Sequence, residues 1–447
     1  MKKNSLLITL IVGIVCVVLA FMAPGMRESG SALYSFITVM PLLVILGLLV
    51  LQVNMLIAAL AGGILAMIIG QFGLGQANAE LVKAIQTMLT ITVPIINSAV
   101  ATAVFKAGGY TAALTLVRRG IGGRIEYVGA FIVILQAAAT YMSGIGGGSA
   151  MVIAPLAFAA VGAIPEVIAG MSIAAAVCFT TSPASLETGM VSKLAEINAL
   201  DYVATMRPFT LFFVAVAILV AFIGTKRRKS LFVSQESDEY AAKSNNELWK
   251  ETIPAIFLLL AVIGGPLVNK IAGFPLLGPM SYLVITVALI FVCTKFTADQ
   301  SVNALVDGSQ YILTRLFQVG IFLSFINLIG ETGAFLTIAG VARSMPPALV
   351  IPTAVLAGFA IGIPAGAYVG SILGMVLPVA VALGFSPMAI GFVTMGVGLG
   401  SQLSFVNITM QALSYGFQIP ILQVIKGNLP WIGLSMLLLI GCSVVFG

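Results

Sequence analysis

Apolar runs long enough to cross a bilayer recur from one end of this chain to the other, and almost no charge interrupts them. A soluble chain of 447 residues needs a charged surface, yet 8% of these residues are charged and 60% are hydrophobic. Lipid cannot hydrogen-bond an open backbone, so only helices or closed barrels span it. Barrel strands of about ten alternating residues are absent. The expected class is therefore all-α, a polytopic membrane protein.

Residues 5–23 form the first run, behind Lys2 and Lys3. The run is longer than a signal-peptide core and has no small-residue cleavage site after it, so it reads as a retained helix. Cys16, Cys178, Cys293 and Cys442 lie in or beside apolar segments without metal-ligand spacing and read as buried thiols. Histidine is absent, which removes serine–histidine triads, histidine–metal sites and histidine proton relays. The net charge of +6 does not signal nucleic acid, because the basic residues sit at helix ends and in one linker.

That linker, residues 225–251, is the one polar segment, and its KRRK start places it in the cytoplasm. It divides the chain into an extra N-terminal helix (1–33), a first membrane repeat (34–224), the linker, and a second repeat (252–447). A shift of 222 residues brings the halves into register. Gly108 falls on Gly330, Gly148-Ser149 on Gly370-Ser371, Pro165 on Pro387, Ser182 on Ser404 and Pro208 on Pro430. Transporter duplications survive as weak symmetry of this kind.

The expected crossings in the first half lie near 34–52, 54–72, 86–107, 126–142, 148–163, 166–181 and 208–224. Those in the second lie near 253–272, 277–294, 308–329, 347–364, 368–384, 387–402 and 430–446. Seven is odd, so the second copy is expected upside down. Residues 183–200 and 405–425 remain as re-entrant hairpin arms. With the N-terminus inside, fifteen Lys and Arg fall on the cytoplasmic side and six outside, among them Lys83, Lys193 and Arg207. The C-terminus is then expected outside.

Four interruptions carry the candidate chemistry. TTSPAS at 180–185 falls on QLSFVN at 402–407, and each follows a helix that begins at Pro165 or Pro387. Such paired breaks read as discontinuous helices, whose open N–H ends favour anions and whose open carbonyl ends favour cations. SGIGGGS at 143–149 and PAGAYVGS at 364–371 form a second pair. Their glycines either let a ligand approach the backbone or pack helices closely, and the pairing across the repeat favours the cavity. No Gly-Lys-Ser/Thr follows, which excludes a phosphate loop.

Glu187 is one of few acids at membrane depth, and its repeat mate is Thr409. It either takes a proton or cation, or faces water at a hairpin tip beside Lys193. Asn97 and Asn327 read as interhelical hydrogen-bonders, Glu331 and Asp307 as solvated helix ends, and Glu166 as a first-turn acid. Neither broken region holds Arg or Lys, so an anion there would be held by dipoles and by co-bound cations.

TTSPASLETG, GSQLSFVNIT and the two-halved layout resemble the ion transporter superfamily, nearest its citrate–metal and C4-dicarboxylate branches. The resemblance covers most of the chain after residue 30. It implies a moving transport domain, a scaffold that forms a homodimer, and an inner-membrane location. It also implies that Thr181, Ser182, Ser185, Ser404 and Asn407 lie near substrate and coupling cation. The Ser-Asn-Thr signature of the divalent anion–sodium branch is absent from both halves.

The combined substrate-binding candidates are Ser143, Gly147, Gly148, Ser149, Thr181, Ser182, Ser185, Gly370, Ser371, Ser404 and Asn407. Those for the coupling ion, H+ or Na+, are Thr180, Ser182, Glu187, Gln402, Ser404 and Thr409. No catalytic residue, resident metal or cofactor is expected. The expectation is symport of a small organic carboxylate. A Na+/H+ antiporter on the same scaffold is the alternative. A membrane enzyme is disfavoured by the lack of any nucleophile–base pair.

Overall fold

The computed structural model describes residues 3–28, 31–51, 53–89, 92–121, 124–183, 185–228, 240 and 242–447, and every regular element among them is helical. The first half runs α1 (Lys3–Glu28), α2 (Ala32–Val50), α3 (Met55–Gly70), α4 (Leu74–Leu89), α5 (Thr92–Lys106) and α6 (Gly109–Ile121). It continues with α7 (Ile125–Ser143), α8 (Gly146–Val161), α9 (Pro165–Phe179), α10 (Leu186–Ala195) and α11 (Ala199–Arg227). The second half runs α12 (Asn245–Ala272), α13 (Pro279–Cys293), α14 (Ala298–Glu331) and α15 (Ala334–Gly340). After a 3-10 turn at Val341–Ser344 come α16 (Pro347–Ala365), α17 (Val369–Ala382), α18 (Pro387–Ser401), α19 (Ile408–Gly416) and α20 (Ile421–Phe446).

The molecule carries its apolar side chains outward as well as inward. Phe36, Leu211, Leu260, Met280 and Val445 are each more than half exposed, on a surface that water would not tolerate. Among the described residues four helices are individually long and apolar enough to span: Leu33–Val50, α11, α16 and α20. Leu316–Glu331 and Ala334–Ser344 add a pair bent by 61°. Eight further apolar helices among the described residues are shorter. Apolar helices packed under a lipid-facing surface make the chain an all-α, multi-pass membrane protein.

The offset of 222 recurs in the helix boundaries. Shifted by it, α7 lands on α16 and α9 on α18, end for end. It recurs in finer detail too. Gly162 and Gly384 end their helices at φ 72 and 70. Glu196 and Gln418 both sit at φ 54, an unusual left-handed setting for residues with a Cβ. Ser192 Oγ donates to the Ile197 carbonyl at 2.7 Å, and Ser414 Oγ donates to the Ile419 carbonyl at 2.7 Å. Ser185 caps α10, and its mate Asn407 caps α19.

The packing repeats as well: α7, α9 and α11 form one triad, and α16, α18 and α20 form the other. The halves then interlock. α8 packs on α19, α10 on α17, and α9 crosses α18. α14 lies against α3, α4 and α5. Its two ends mark the two faces of the bundle. At one end Lys106 pairs with Asp307, near the cluster in which Arg119 holds Asn245 and the Lys243 carbonyl. At the other, Gln76 bonds Glu331 and Asn327 donates to Glu80. Residues 307 and 331 are about 36 Å apart along a helix, a bilayer's thickness.

Several boundaries differ from those expected. The single crossing at 86–107 is two helices, α4 and α5, with the residues between them (90–91) outside the described part. α11 and α20 do not begin at Pro208 and Pro430 but run through them. Asn198 supplies the earlier start of α11, its Oδ1 accepting from Leu200 N at 2.8 Å. The arm expected at 183–200 is thus only the ten residues of α10, and the one at 405–425 the nine of α19. The linker also ends sooner, because Ser244 and Glu247 form a reciprocal capping box that opens α12 at Asn245. Residues 229–239 and 241 of that linker lie outside the described part.

Candidate functional site

Each break is built the same way. Pro165 and Pro387 start α9 and α18, where a missing N–H costs nothing. Both helices are fifteen residues long and stop inside the protein, with α10 and α19 resuming after a few residues of irregular chain. Thr180, Thr181 and Ser182 are buried in the first break, and Gln402 and Ser404 in the second. Irregular backbone at such depth survives only where protein or a cavity satisfies it.

Protein side chains satisfy much of it. In the first break Thr180 Oγ1 and Thr181 Oγ1 bond back to carbonyls of α9, and Thr181 also meets Thr210 of α11 at 2.9 Å. The Tyr202 hydroxyl donates to the Thr180 carbonyl at 2.9 Å. Ser182 Oγ donates to the Tyr141 carbonyl at 2.6 Å, tying this break to the glycine-rich junction after α7. Ser185 Oγ bonds the Ser182 carbonyl and the Thr188 hydroxyl.

The second break repeats the plan with different chemistry. Asn407 Nδ2 donates to the Gly366 carbonyl at 3.0 Å, tying the break to the junction after α16. Its Oδ1 accepts from Thr409 N at 2.8 Å and from Met410 N at 3.3 Å. The Gln402 carbonyl, mate of the Thr180 carbonyl, accepts from Asn428 Nδ2 of α20 at 3.3 Å. That same Nδ2 lies 2.8 Å from Ser172 Oγ of α9, which joins the two halves.

The breaks also meet through their arms. A Cβ built on Gly146 would lie 3.1 Å from Thr409 Oγ1, and one on Gly147 would lie 2.6 Å from Ile408. A Cβ on Gly398 would lie 2.6 Å from Thr180 Cγ2. Candidates Gly147 and Thr409 thus belong to one contact between the halves, and Thr180 to another, against Gly398. Gly147 lets α8 and α19 approach, and Gly370 is pressed by the Tyr368 ring, so both glycines make packing contacts here. Gly148 offers its carbonyl to Asn97 Nδ2 at 3.2 Å. Ser149 is buried and bonds the Ile145 carbonyl. The side chains of Ser143 and Ser371 lie outside the described residues.

Glu187 is buried in the first turn of α10, 8% exposed, and no ion pair reaches it among the described residues. Lys193 points out to the surface instead. Glu166, expected as a first-turn acid, also takes Arg228 in a bidentate pair at 2.7 and 2.9 Å. A cavity of about 370 Å³ opens between the halves, lined by Thr102, Phe105, Pro155, Ser414, Tyr415 and Gln418. None of the expected substrate residues that the structure describes lines it.

Three residues at or beside the breaks had no place among the candidates: Tyr202, Asn428 and Gln136. Gln136 Nε2 donates to Thr140 Oγ1 at 3.0 Å and to the Gly146 carbonyl at 3.3 Å. The available signal was a polar residue inside an apolar helix, which by itself marks function or packing alike.

No family model matches the chain, and no curated protein matches it. Among solved structures it is similar to the Alcanivorax borkumensis YdaH transporter, with a TM-score of 0.41 and 20% identity. The match covers 82% of this chain and 87% of that one. At this distance the likeness speaks neither for a substrate nor for a site. The class rests on the helices themselves: an all-α, multi-pass membrane protein with two matched interruptions in its core.

Proposed function

We propose that this chain is a secondary active transporter that carries a small organic carboxylate, di- or tricarboxylate, together with H+ or Na+ across the inner membrane. The observation that carries the reading is the pair of buried breaks after α9 and α18, which follow helices of equal length and are capped at mate residues across the offset of 222. Open helix ends of both polarities at membrane depth suit an anion and a cation held together. The cavity between α5, α8 and α19 is large enough for such a substrate and supports a path between the halves.

In this reading the second half is the first turned over, the N-terminus is cytoplasmic, the C-terminus is outside, and two copies associate through a scaffold. The substrate would meet Thr181, Ser182, Ser185, Ser404 and Asn407 as α8 and α17 shift against the breaks. One observation favours the antiporter alternative: Glu187 is buried without an ionic partner among the described residues.

Uptake of labelled di- and tricarboxylates into proteoliposomes tests the reading, with sodium and proton gradients imposed separately. Gradient-driven accumulation is the expected result. Sodium-driven proton movement with no carboxylate uptake would establish the antiporter instead.

A further inference from the structure

The two breaks differ in one respect that the repeat makes exact to compare. The carbonyls of Thr180 and Gln402 are repeat mates, and each accepts a hydrogen bond from the long helix that follows its break. The first is capped by a hydroxyl, Tyr202, and the second by an amide, Asn428. A phenol hydroxyl that donates there brings no further carbonyl. An amide that donates through its nitrogen brings an oxygen with it.

That oxygen is unsatisfied. Asn428 is fully buried, and no donor among the described residues reaches its Oδ1. Gln402 is fully buried beside it, and none of them reaches its Oε1 either. Reversing Asn428 does not cure this. Its Nδ2 faces the Gln402 carbonyl, the Met410 sulfur at 3.5 Å and Ser172 Oγ, which bonds the Ile168 carbonyl at 2.9 Å. An oxygen placed there would face that carbonyl and that sulfur. Gln402 Nε2 faces Ser401 Oγ at 3.0 Å, and that hydroxyl donates to the Gly398 carbonyl at 2.7 Å. In this set of bonds both oxygens are acceptors without donors.

They also sit at the negative end of α18, where the last carbonyls of a helix attract positive charge. Lys426, two residues before Asn428 on α20, is exposed and on another face of the helix. A buried acceptor left unmatched is costly, and two on one helix end call for a positive partner. In the first break, by contrast, no buried oxygen from 180 to 188 is left unmatched among the described residues.

The geometry points to one cation site of sodium size at the second break, with Gln402 Oε1 and Asn428 Oδ1 among its ligands. The equivalent place in the first half is closed by the Tyr202 hydroxyl. Neutral amide oxygens suit a hard monovalent ion better than they suit a proton, since an amide does not protonate near neutral pH. The inference deepens the transport reading, in which this ion is the coupling cation. Binding itself does not depend on what else is carried.

The test is equilibrium binding of radioactive sodium to the purified full-length protein in detergent, with choline replacing sodium at constant ionic strength. One sodium per chain is expected. Asn428→Leu and Gln402→Leu should each weaken binding about ten- to a hundredfold. Tyr202→Phe should leave it unchanged. Because Asn428→Leu could misfold, Asn428→Asp serves as the second variant: it keeps an oxygen, adds charge and should bind at least as tightly. No sodium bound by the parent protein would mean that water fills the site, and would overturn the proposal. So would two equivalent sites, or a loss in Tyr202→Phe equal to that in Asn428→Leu. Sodium binding without carboxylate uptake would sink the transport reading alone. Proton-driven uptake without sodium binding would sink this one alone.

Discussion

The break after α9 and the break after α18 share a plan and differ in their filling. Both helices begin at proline, run fifteen residues and stop at a polar cap. Around the first, the side chains are alanine, cysteine and hydroxyls, and the bonds close locally, onto α11 or, through Ser182, onto α7. Around the second, glycines stand where the first has alanine and cysteine: Gly396, Gly398 and Gly400 against Ala174, Ala176 and Cys178. α16 and α18 consequently touch backbone to backbone, with a Cβ on Gly362 only 2.5 Å from the Val397 carbonyl. The two halves share this geometry, yet the second holds a tight, amide-lined joint and the first a hydroxyl-lined one.

Exchange experiments should expose that difference, beginning with the glycines. Gly400→Cys imports the side chain of its mate, Cys178, into contact with the Phe359 carbonyl, a backbone atom that cannot step aside. We expect a loss of about 3 kcal/mol, seen as a much lower melting temperature in detergent. The reverse exchange, Cys178→Gly, removes one small buried side chain and should cost about 1–2 kcal/mol. Equal effects would mean that the two joints are not differently packed.

The tethers come next. Asn407→Ala removes both the cap of α19 and the bond to Gly366, about 2 kcal/mol in total. Ser182→Ala removes one bond, to Tyr141, and should cost about 1 kcal/mol. Thermal unfolding of the two variants side by side gives the order directly. Glu166→Gln should cost about 1 kcal/mol, because the Arg228 pair is partly exposed, and the effect should shrink at high salt. Its mate is Met388, so Met388→Leu should show no salt dependence at all.

The smallest effect is the most diagnostic of likeness. Ser192→Ala and Ser414→Ala each lose the same 2.7 Å bond, and each should cost roughly 0.5–1 kcal/mol. Melting temperatures that differ by several degrees between the two would break the comparison.

Much of this was legible in the residues themselves. Pro165 and Pro387 at first helical positions and the hydroxyl- and amide-rich stretches TTSPAS and QLSFVN are local signals, and they placed the breaks, while the cap roles of Ser185 and Asn407 emerge from the structure. The starts of α11 and α20 were misplaced because Pro208 and Pro430 resemble helix starts. In a membrane bundle neighbouring groups can satisfy the backbone that proline frees. The Asn198 cap was readable and outranked Pro208, and the Ser244–Glu247 box that opens α12 was readable too. Tyr202 and Asn428 were not readable as site residues. Their partners lie far along the chain, as Ser172 does from Asn428, and only packing brings them together.

The comparison depends on the second half being the first turned over, and sidedness tests that most directly. Ala204 of α11 and Lys426 of α20 are repeat mates, and both are exposed. Ala204→Cys and Lys426→Cys can be treated with a membrane-impermeant thiol reagent on intact cells and again after permeabilisation, with the parent protein as control. The account predicts that intact cells label Ala204→Cys alone and that Lys426→Cys reacts only once the membrane is opened. Labelling of both from outside, or protection of both, would contradict it.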